Sequence, residues 1–272
     1  MASLNKEKFA YWIAERECIR YIKEAELPKP WSIDPVFQIT YFCNVDREDD
    51  KVTRAIRAMY NPHVSNPNLT ANMIMARMVN NPKSLEAIGF MNIFDKEKFV
   101  SVMQKPGSWN GAYIVSTNGR AMPKHEYIAG VLEQAWGHFR GHIGTGPQPT
   151  LASAHKAIQA LQGMGSFMSA QVVADLKNTP QHPLANASDW WTWASHGPGS
   201  MRGLMWFHEY KVLPSNFMEA LASARQWCYN NGHKQLIADL CNQNLQNCFC
   251  EYDKYMRVST GTGRSKRKYD GS

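Results

Sequence analysis

A glycine-rich segment at residues 195–204 carries the side chains best suited to binding a phosphate group. Arg202 follows a Gly-Pro-Gly tripeptide, and the backbone amides of such a loop can form a concave anion site. We therefore predict that Gly199, Ser200 and Arg202 bind phosphate; the alternative is a structural turn followed by an exposed arginine. His196 precedes the loop and could act as a general base or hydrogen-bond a leaving oxygen; the alternative is a structural histidine.

Charged residues recur at the end of the last helical pattern, where Glu251, Asp253, Lys254 and Arg257 alternate in sign. Spacings of three and four residues bring such side chains onto one helix face. Surface ion pairs of this kind contribute about 0.3–0.5 kcal/mol each. Taken alone, the pattern predicts a solvated helix face and no binding site.

A second polar stretch, residues 44–54, offers groups that could contact a base or an anion. Asn44 presents both a donor and an acceptor, which suits a pyrimidine edge, but it could equally cap a helix that starts near Asp46. Taken alone, Arg47 and Arg54 predict surface ion pairs, although guanidinium groups can also bind phosphate or a carboxylate through paired hydrogen bonds.

One acid lies beside three indoles, because Asp189 directly precedes Trp190-Trp191-Thr192-Trp193. Partial burial among these rings would raise the pKa of a carboxyl group and suit it to proton transfer. The alternative is that Asp189 caps a helix after Ser188.

Residues 157–173 predict two helices joined by a tight Gly-x-Gly turn, Gly163-Met164-Gly165, with Ser166 opening the second helix. Glycine allows the turn, and the free amides and dipole of the second helix attract an anion. A helix-hairpin-helix element contacts a DNA phosphate in this way, usually with a monovalent cation on hairpin carbonyls. Leu161 and Met164 would pack the hairpin. An ordinary helix–turn–helix corner is the alternative.

The chain has 272 residues with a net charge of +7 and a pI near 9.1, which favours a polyanionic partner over a merely basic surface. A basic tail at about 258–272, with Arg264 and Lys266, is predicted to contact DNA; a solvated end is the alternative. The N-terminus is amphipathic and rich in acids, unlike a signal or transit peptide, and no run approaches the ~18 apolar residues of a membrane span.

The six cysteines have no regular spacing, which indicates reduced thiols in a cytoplasm. Their spacing does not fit an iron–sulfur cluster, and we predict no bound metal in the site. Nothing in the sequence suggests an organic cofactor.

Apolar periodicity predicts a mainly α protein. The predicted helices span residues 5–26, 35–43, 46–60, 69–80, 95–104, 123–139, 151–161, 166–177, 214–230 and 233–250. A short strand is predicted at Tyr113–Ser116, and residues 178–203 are predicted to form a long functional loop.

Four segments, in order, resemble the phage alpha-glutamyl/putrescinyl-thymine pyrophosphorylase family, also described as amino acid:DNA transferases. They are Lys29–Arg54, the hairpin, Ser195–Leu204, and Cys250–Arg257 with Gly261-Thr262-Gly263-Arg264 behind it. The resemblance covers most of the chain and implies the two-lobed helical fold of the helix-hairpin-helix DNA glycosylases, with residues 1–272 as one catalytic unit. The first segment also resembles the helical domain of phage 5-hydroxymethyluridine DNA kinases.

The resemblance implies that a partner kinase first activates 5-hydroxymethyluracil in double-stranded DNA as its phosphate or pyrophosphate ester. This protein would then flip the base out and replace the leaving group with the amine of an amino acid or polyamine. Asp189, His196 and Asp253 become the candidate acid/base groups. Lys254 joins the substrate-binding residues, and Arg47 and Arg54 become the candidates for contact with phosphate or a substrate carboxylate. The host bacterial cytoplasm is the implied location, for a phage-encoded protein with no membrane partner.

Two other functions stay open. The first is a monofunctional DNA glycosylase with Asp189 as its carboxylate, since the lysine that bifunctional enzymes carry after the hairpin is missing. The second is a DNA-binding module without catalysis, such as the detached helical domain of a kinase. The chain itself contains no Gly-x-x-x-x-Gly-Lys-Ser/Thr loop, which argues against a P-loop kinase.

Overall fold

The computed structural model describes residues 4–110 and 116–264, and helices make up most of them, so the mainly α prediction is confirmed. In chain order the α-helices of the described residues are α1 Leu4–Glu24, α2 Pro35–Ile39, α3 Lys51–Tyr60, α4 Leu69–Val79, α5 Pro82–Ile88, α6 Lys96–Met103, α7 Lys124–His138, α8 Leu151–Gln159, α9 Ser166–Lys177, α10 Pro198–His208, α11 Phe217–Asn230, α12 Lys234–Ile237 and α13 Asn242–Ser259. Short 3₁₀ turns span Arg47–Asp49, Asn61–His63, Pro183–Asn186 and Pro214–Asn216.

The helices fall into two compact units. One unit comprises Met1–Asp50 with Trp191–Ser272, and the other comprises Lys51–Trp190. None of the described helices is long and apolar enough to cross a membrane.

Helix boundaries follow local chemistry more closely than the apolar pattern does. The predicted helix at 46–60 is divided, because Asp46 accepts a hydrogen bond from the Glu48 amide and caps a 3₁₀ turn before α3 begins. The predicted helix at 233–250 is likewise broken, with α13 starting only at Asn242. The predicted loop at 178–203 ends early, because α10 starts at Pro198. Helix α5 was not predicted. The predicted strand at Tyr113–Ser116 lies mostly outside the described residues.

The core of the first unit is built on aromatic rings from α1, α10 and α13. Phe9 stacks on Phe249 with ring centroids 4.1 Å apart, and Phe207 meets both rings edge-on at 5.5 Å. Trp12 and Ile13 of α1 are fully buried. Each such side chain stabilises the fold by about 1.5–3 kcal/mol relative to exposure, so α1 fixes the position of α10 and α13.

The second unit is organised around α4, all of whose residues are buried. A helix surrounded by protein on every side must satisfy its polar groups internally. The Asn72 side chain does so by exchanging hydrogen bonds with the backbone of Met91, at 2.9 and 3.0 Å. Arg77 does so by pairing with Asp175 of α9, at 2.5 and 2.6 Å, and with Thr53 of α3 at 3.0 Å.

Two histidines lie side by side in the same unit, His182 buried and His142 half-buried. Nδ1 of His182 accepts a hydrogen bond from the Leu184 amide at 3.1 Å and caps the Pro183–Asn186 turn. The ring of His142 lies edge-on to it with centroids 5.3 Å apart. Burial, and secondarily repulsion from His142, lowers the pKa of His182 to about 4, so this imidazole is neutral at pH 7.

Removing one partner of the Arg77–Asp175 ion pair should strongly destabilise the protein. Both side chains are almost completely buried, so Asp175→Asn leaves the guanidinium without its countercharge. We expect a loss of about 3–5 kcal/mol in the free energy of unfolding, measured by urea denaturation. The exposed pair of Lys96 with Glu133 provides the control, since Lys96→Gln should cost less than about 1 kcal/mol. Similar losses for the two variants would contradict this assignment.

Stability should also fall in mild acid because His182 must charge. Its pKa is about 4 in the folded protein and near 6.5 when unfolded, so its contribution is complete above pH 6.5 and is lost as the pH falls toward 4. Between pH 7.5 and 5 we expect this group to remove about 2 kcal/mol. His182→Asn keeps an acceptor for the Leu184 amide without titrating, so urea unfolding at both pH values should show a smaller loss. An unchanged pH dependence would rule the histidine out.

Candidate functional site

Helices α10 and α13 approach each other closely because two glycines of α10 face α13. A Cβ atom at Gly203 would overlap the backbone carbonyl of Phe249, and one at Gly199 would lie 2.5 Å from Sγ of Cys250. Gly203 has no room for a side chain, and one at Gly199 would require the Cys250 side chain to move. The close approach brings Arg202, which lies between the two glycines, next to Asp253 on α13.

A buried carboxylate holds two arginines at this contact. Oδ2 of Asp253 accepts hydrogen bonds from Nε and Nη2 of Arg202 at 3.1 and 2.9 Å, and from Nε of Arg257 at 3.1 Å. Asp253 is 1% exposed, whereas the side chains of Arg202 and Arg257 are 49% and 32% exposed. Nη1 of Arg202 takes part in none of the described hydrogen bonds. The result is two oriented guanidinium groups against one carboxylate, an arrangement suited to a phosphate.

The second ion pair of α13 fastens the 41–43 segment to the helix. Oε2 of Glu251 accepts hydrogen bonds from the Cys43 amide at 3.0 Å and from Nζ of Lys254 at 2.7 Å. Nζ of Lys254 also donates to the Tyr41 carbonyl at 3.2 Å. Burial acts to lower the pKa of Lys254, but the Glu251 carboxylate outweighs it and the pKa lies above its ordinary value. Lys254 is therefore a fixed cation and not a proton acceptor at neutral pH.

Asn44 is oriented by a buried arginine that the sequence analysis missed. Arg16 donates from Nε to the Cys43 carbonyl at 3.0 Å and from Nη2 to Oδ1 of Asn44. Asn44 does not cap the following turn, since Asp46 fills that position. The signal for Arg16 is its place on α1, on the same face as the buried Phe9, Trp12 and Ile19.

The predicted phosphate-binding residues at the start of α10 have structural contacts of their own. The Ser200 hydroxyl is buried and exchanges two hydrogen bonds of 3.1 Å with the backbone of Gly197, which fixes the first turn of α10. His196 is exposed, with its ring centroid 6.1 Å from that of Phe217. Arg47 lies half-buried in the Arg47–Asp49 turn, and Arg54 lies exposed on α3 in the second unit.

The predicted hairpin forms, with α8 and α9 joined by a short turn at residues 160–165. Gly163 has φ of +95°, and a Cβ there would lie 2.7 Å from Cγ2 of Val131, so this position requires glycine. Leu161 and Met164 are buried, as predicted for residues that pack the hairpin. Gly165 is exposed, and Ser166 begins α9, where its carbonyl contacts the His155 ring at 2.9 Å.

Asp189 acts as a cap for a helix distant in sequence. Its two carboxylate oxygens accept hydrogen bonds from the Leu151 and Ala152 amides, at 2.6 and 3.1 Å, at the first turn of α8. A carboxylate in this position stabilises the positive end of the helix. Asp189 therefore does not cap a helix that begins after Ser188, as one alternative predicted. It caps α8, the first helix of the hairpin, and so links the segment before Trp190 to that helix.

The predicted basic tail is described only at its start. Arg264 is exposed, and Lys266 lies outside the described residues. Gly263 packs on Arg257, where a Cβ would lie 2.6 Å from Nη1, so the glycine lets the chain pass beside the second arginine of the site. Among residues 4–110 and 116–264, no three His, Cys, Asp or Glu side chains form a group that could hold a metal ion.

A family model described as "5-hmdU DNA kinase, helical domain" matches residues 5–265. The match spans nearly the whole chain, so this protein belongs to the family of 5-hmdU DNA kinase helical domains. The family links it to the modification of 5-hydroxymethyluracil in DNA. No curated protein and no solved structure matches the chain. The resemblance to kinase helical domains is thus confirmed well beyond the first segment, and the resemblance to amino acid:DNA transferases stays a prediction.

The close contact of α10 with α13 should not tolerate a methyl group. Gly203→Ala is expected to lower the free energy of unfolding by about 1–3 kcal/mol or more, because overpacking a well-packed contact costs this much. Gly130→Ala on α7 is the matched control, because nothing lies within 4 Å of its Cβ position and the change should be neutral or stabilising by about 0.5–1 kcal/mol. Chemical denaturation measures both. A Gly203→Ala protein as stable as the Gly130→Ala protein would show that the helices are not in close contact.

Proposed function

We propose that this protein joins the amine of an amino acid or polyamine to 5-hydroxymethyluracil in DNA that has been activated as a phosphate or pyrophosphate ester. The observation that carries the proposal is the half-exposed Arg202 guanidinium, held in place by buried Asp253, in a protein of the 5-hmdU DNA kinase helical-domain family. Phosphate or pyrophosphate is the second product.

The role of Arg202 and Arg257 is to bind the leaving phosphate. Negative charge grows on the departing oxygen during the reaction, and donors already oriented toward it lower the barrier. Asp253 is a positioning residue in this scheme, because its Oδ2 atom fixes both guanidinium groups. The amides at Gly199 and Ser200 supply further donors at the start of α10.

The chemical step is a substitution at the exocyclic methylene carbon. The amine nitrogen forms a bond to that carbon while the carbon–oxygen bond to the phosphate breaks, and the oxygen keeps the electron pair. The nitrogen then gives up one proton, for which exposed His196 is the proposed acceptor. Lys254 does not fill this role, because its pair with Glu251 keeps it charged.

The DNA must present its base outside the helix for this reaction. We assign the hairpin residues Gly163–Ser166, with a sodium or potassium ion on hairpin carbonyls, to the DNA backbone. In the first unit, Asn44 and Arg47 are assigned to the base or donor, and in the second unit Arg54 is assigned to a phosphate. A DNA base kinase would supply the activated ester in the host cytoplasm. The glycosylase alternative depends on Asp189, whose two oxygens are occupied by amides of α8, and no observation favours it.

A second candidate is a DNA-binding module that presents 5-hydroxymethyluracil to a kinase and catalyses nothing itself. The family description favours it, since the matching model is the helical domain of a kinase. In this case Arg202 and Arg257 would bind a phosphate of the DNA backbone.

One experiment separates the candidates. The protein is incubated with duplex DNA that carries kinase-activated 5-hydroxymethyluracil and with a pool of amino acids and polyamines, and the nucleosides are weighed by mass spectrometry. We expect a nucleoside heavier by one donor, with release of phosphate or pyrophosphate. Arg202→Gln should slow product formation by about 100-fold or more, because one transition-state donor is lost. Lys211→Gln, an equal change of charge at an exposed site, should have little effect.

The other outcomes are equally informative. Unchanged activated base with every donor, together with tight binding of the DNA, would replace the transferase by the binding module. Abasic DNA would establish a glycosylase. Equal loss of activity in Arg202→Gln and Lys211→Gln would remove Arg202 from the site.

A further inference from the structure

A surface groove of about 580 Å³ lies in the first unit, along α11 and the segment just before α10. Its volume falls within the range of about 300–1,000 Å³ found for ligand sites. The groove is lined by Trp191, Thr192, Met218, Ala222, Arg225, Gln226, Tyr229, Ala238 and Asn242.

Exposed apolar side chains border the groove. Trp191 is 54% exposed, and Met218 and Tyr229 are each 38% exposed. Single exposed apolar residues are common on protein surfaces, but a group that shares one hollow indicates a binding surface. The lining also includes two exposed alanines, Ala222 and Ala238, whose small side chains fill little of the groove.

The back of the groove is held rigidly. Nη2 of Arg225 donates to the Leu240 carbonyl at 2.6 Å and to Oδ1 of Asn242 at 2.9 Å. The Asn242 amide donates to the Trp191 carbonyl at 2.9 Å, and its Nδ2 donates to the Thr192 carbonyl at 2.7 Å. These bonds fix the backbone that carries Trp191, so a ligand would not need to order it. Because these polar groups of Arg225 and Asn242 bond within the protein, the surface that the groove offers to a ligand is mainly apolar and includes two aromatic rings, Trp191 and Tyr229.

A positive charge beside the groove favours one class of ligand. Nζ of exposed Lys234 lies 5.7 Å from the centroid of the Tyr229 ring. A cation beside an aromatic ring, in a protein of net charge +7, suits a chain in which flat rings alternate with anionic groups. Single-stranded nucleic acid has this composition, and proteins bind it through stacked bases and neutralised phosphates.

We propose that this groove binds unpaired bases of single-stranded DNA, which stack on Trp191 and Tyr229 while the adjoining phosphate contacts Lys234. The choice of DNA rests on the proposed function, whose substrate is a DNA base. The groove would hold the strand that is left unpaired when a target base leaves the duplex. Stacking tolerates every base, so binding here would add affinity with little sequence preference.

The test is binding of a fluorescein-labelled oligothymidylate to the full chain, followed by fluorescence anisotropy. Loss of one stacking ring costs about 1–3 kcal/mol, so Trp191→Ala and Tyr229→Ala should each raise the Kd by about 5-fold or more. Trp191→Phe keeps a ring and should retain most of the affinity. Tyr21→Ala, which removes an exposed tyrosine outside the groove, is the matched control and should leave the Kd unchanged.

A second variant fills the groove without touching the core. Ala222→Leu adds bulk at an exposed position of α11 and should weaken binding of the oligothymidylate, while thermal unfolding stays unchanged. A Kd within twofold of the original protein for Trp191→Ala, Tyr229→Ala and Ala222→Leu would overturn the proposal. The measurement contains no amine donor and no activated base. If the transferase reaction fails, the proposal that the groove binds single-stranded DNA therefore still stands. If groove binding fails, the transferase reaction is still tested separately by mass spectrometry.

Discussion

The contact between α10 and α13 is the constraint on which the candidate site depends. Two helices come this close only where one presents hydrogen atoms instead of side chains, and Gly199 and Gly203 meet that requirement. Arg202 lies between them and forms an ion pair with Asp253, whose carboxylate is buried. If the helices were farther apart, Asp253 would lose the hydrogen bonds from Arg202 and keep Arg257 of its own helix as its ion-pair partner. Packing and electrostatics therefore stabilise the same geometry.

The second unit solves a similar problem with different chemistry. Its central helix α4 is buried on all sides, yet it carries Arg77 and Asn72. Their polar groups are matched by Asp175 and by the backbone of Met91, so the buried polar atoms select one arrangement of α4 among its neighbours. Asp189 has a comparable role at the surface, where one side chain caps α8 and so links two segments that are distant in sequence.

Family membership and site geometry inform the function at different levels. The family relates the chain to 5-hydroxymethyluracil in DNA. The two guanidinium groups held by Asp253 form an arrangement suited to an anion. The raised pKa of Lys254 keeps this side chain charged, so it is excluded as the proton acceptor of the proposed reaction. Aromatic rings and a rigid back wall give the Trp191 groove a character unlike that of the charged cluster. The proposed reaction involves a phosphate and a displaced strand, and the two surfaces match these two proposed ligands.

The sequence by itself determined the helical class, most helix positions, the helical hairpin and the segments proposed to form the candidate site. Apolar periodicity and glycine spacing are local properties, so they can be recognised in one sequence without knowledge of the fold. Only the tertiary structure decided which charges meet: the 251–257 pattern alone predicted surface ion pairs, but folding buried Asp253 and Glu251 and brought Arg202 to the first of them. It also revealed Arg16 as the residue that orients Asn44. Such roles depend on burial and on partners far away in sequence, because desolvation determines whether an ion pair is weak at the surface or fixed in position.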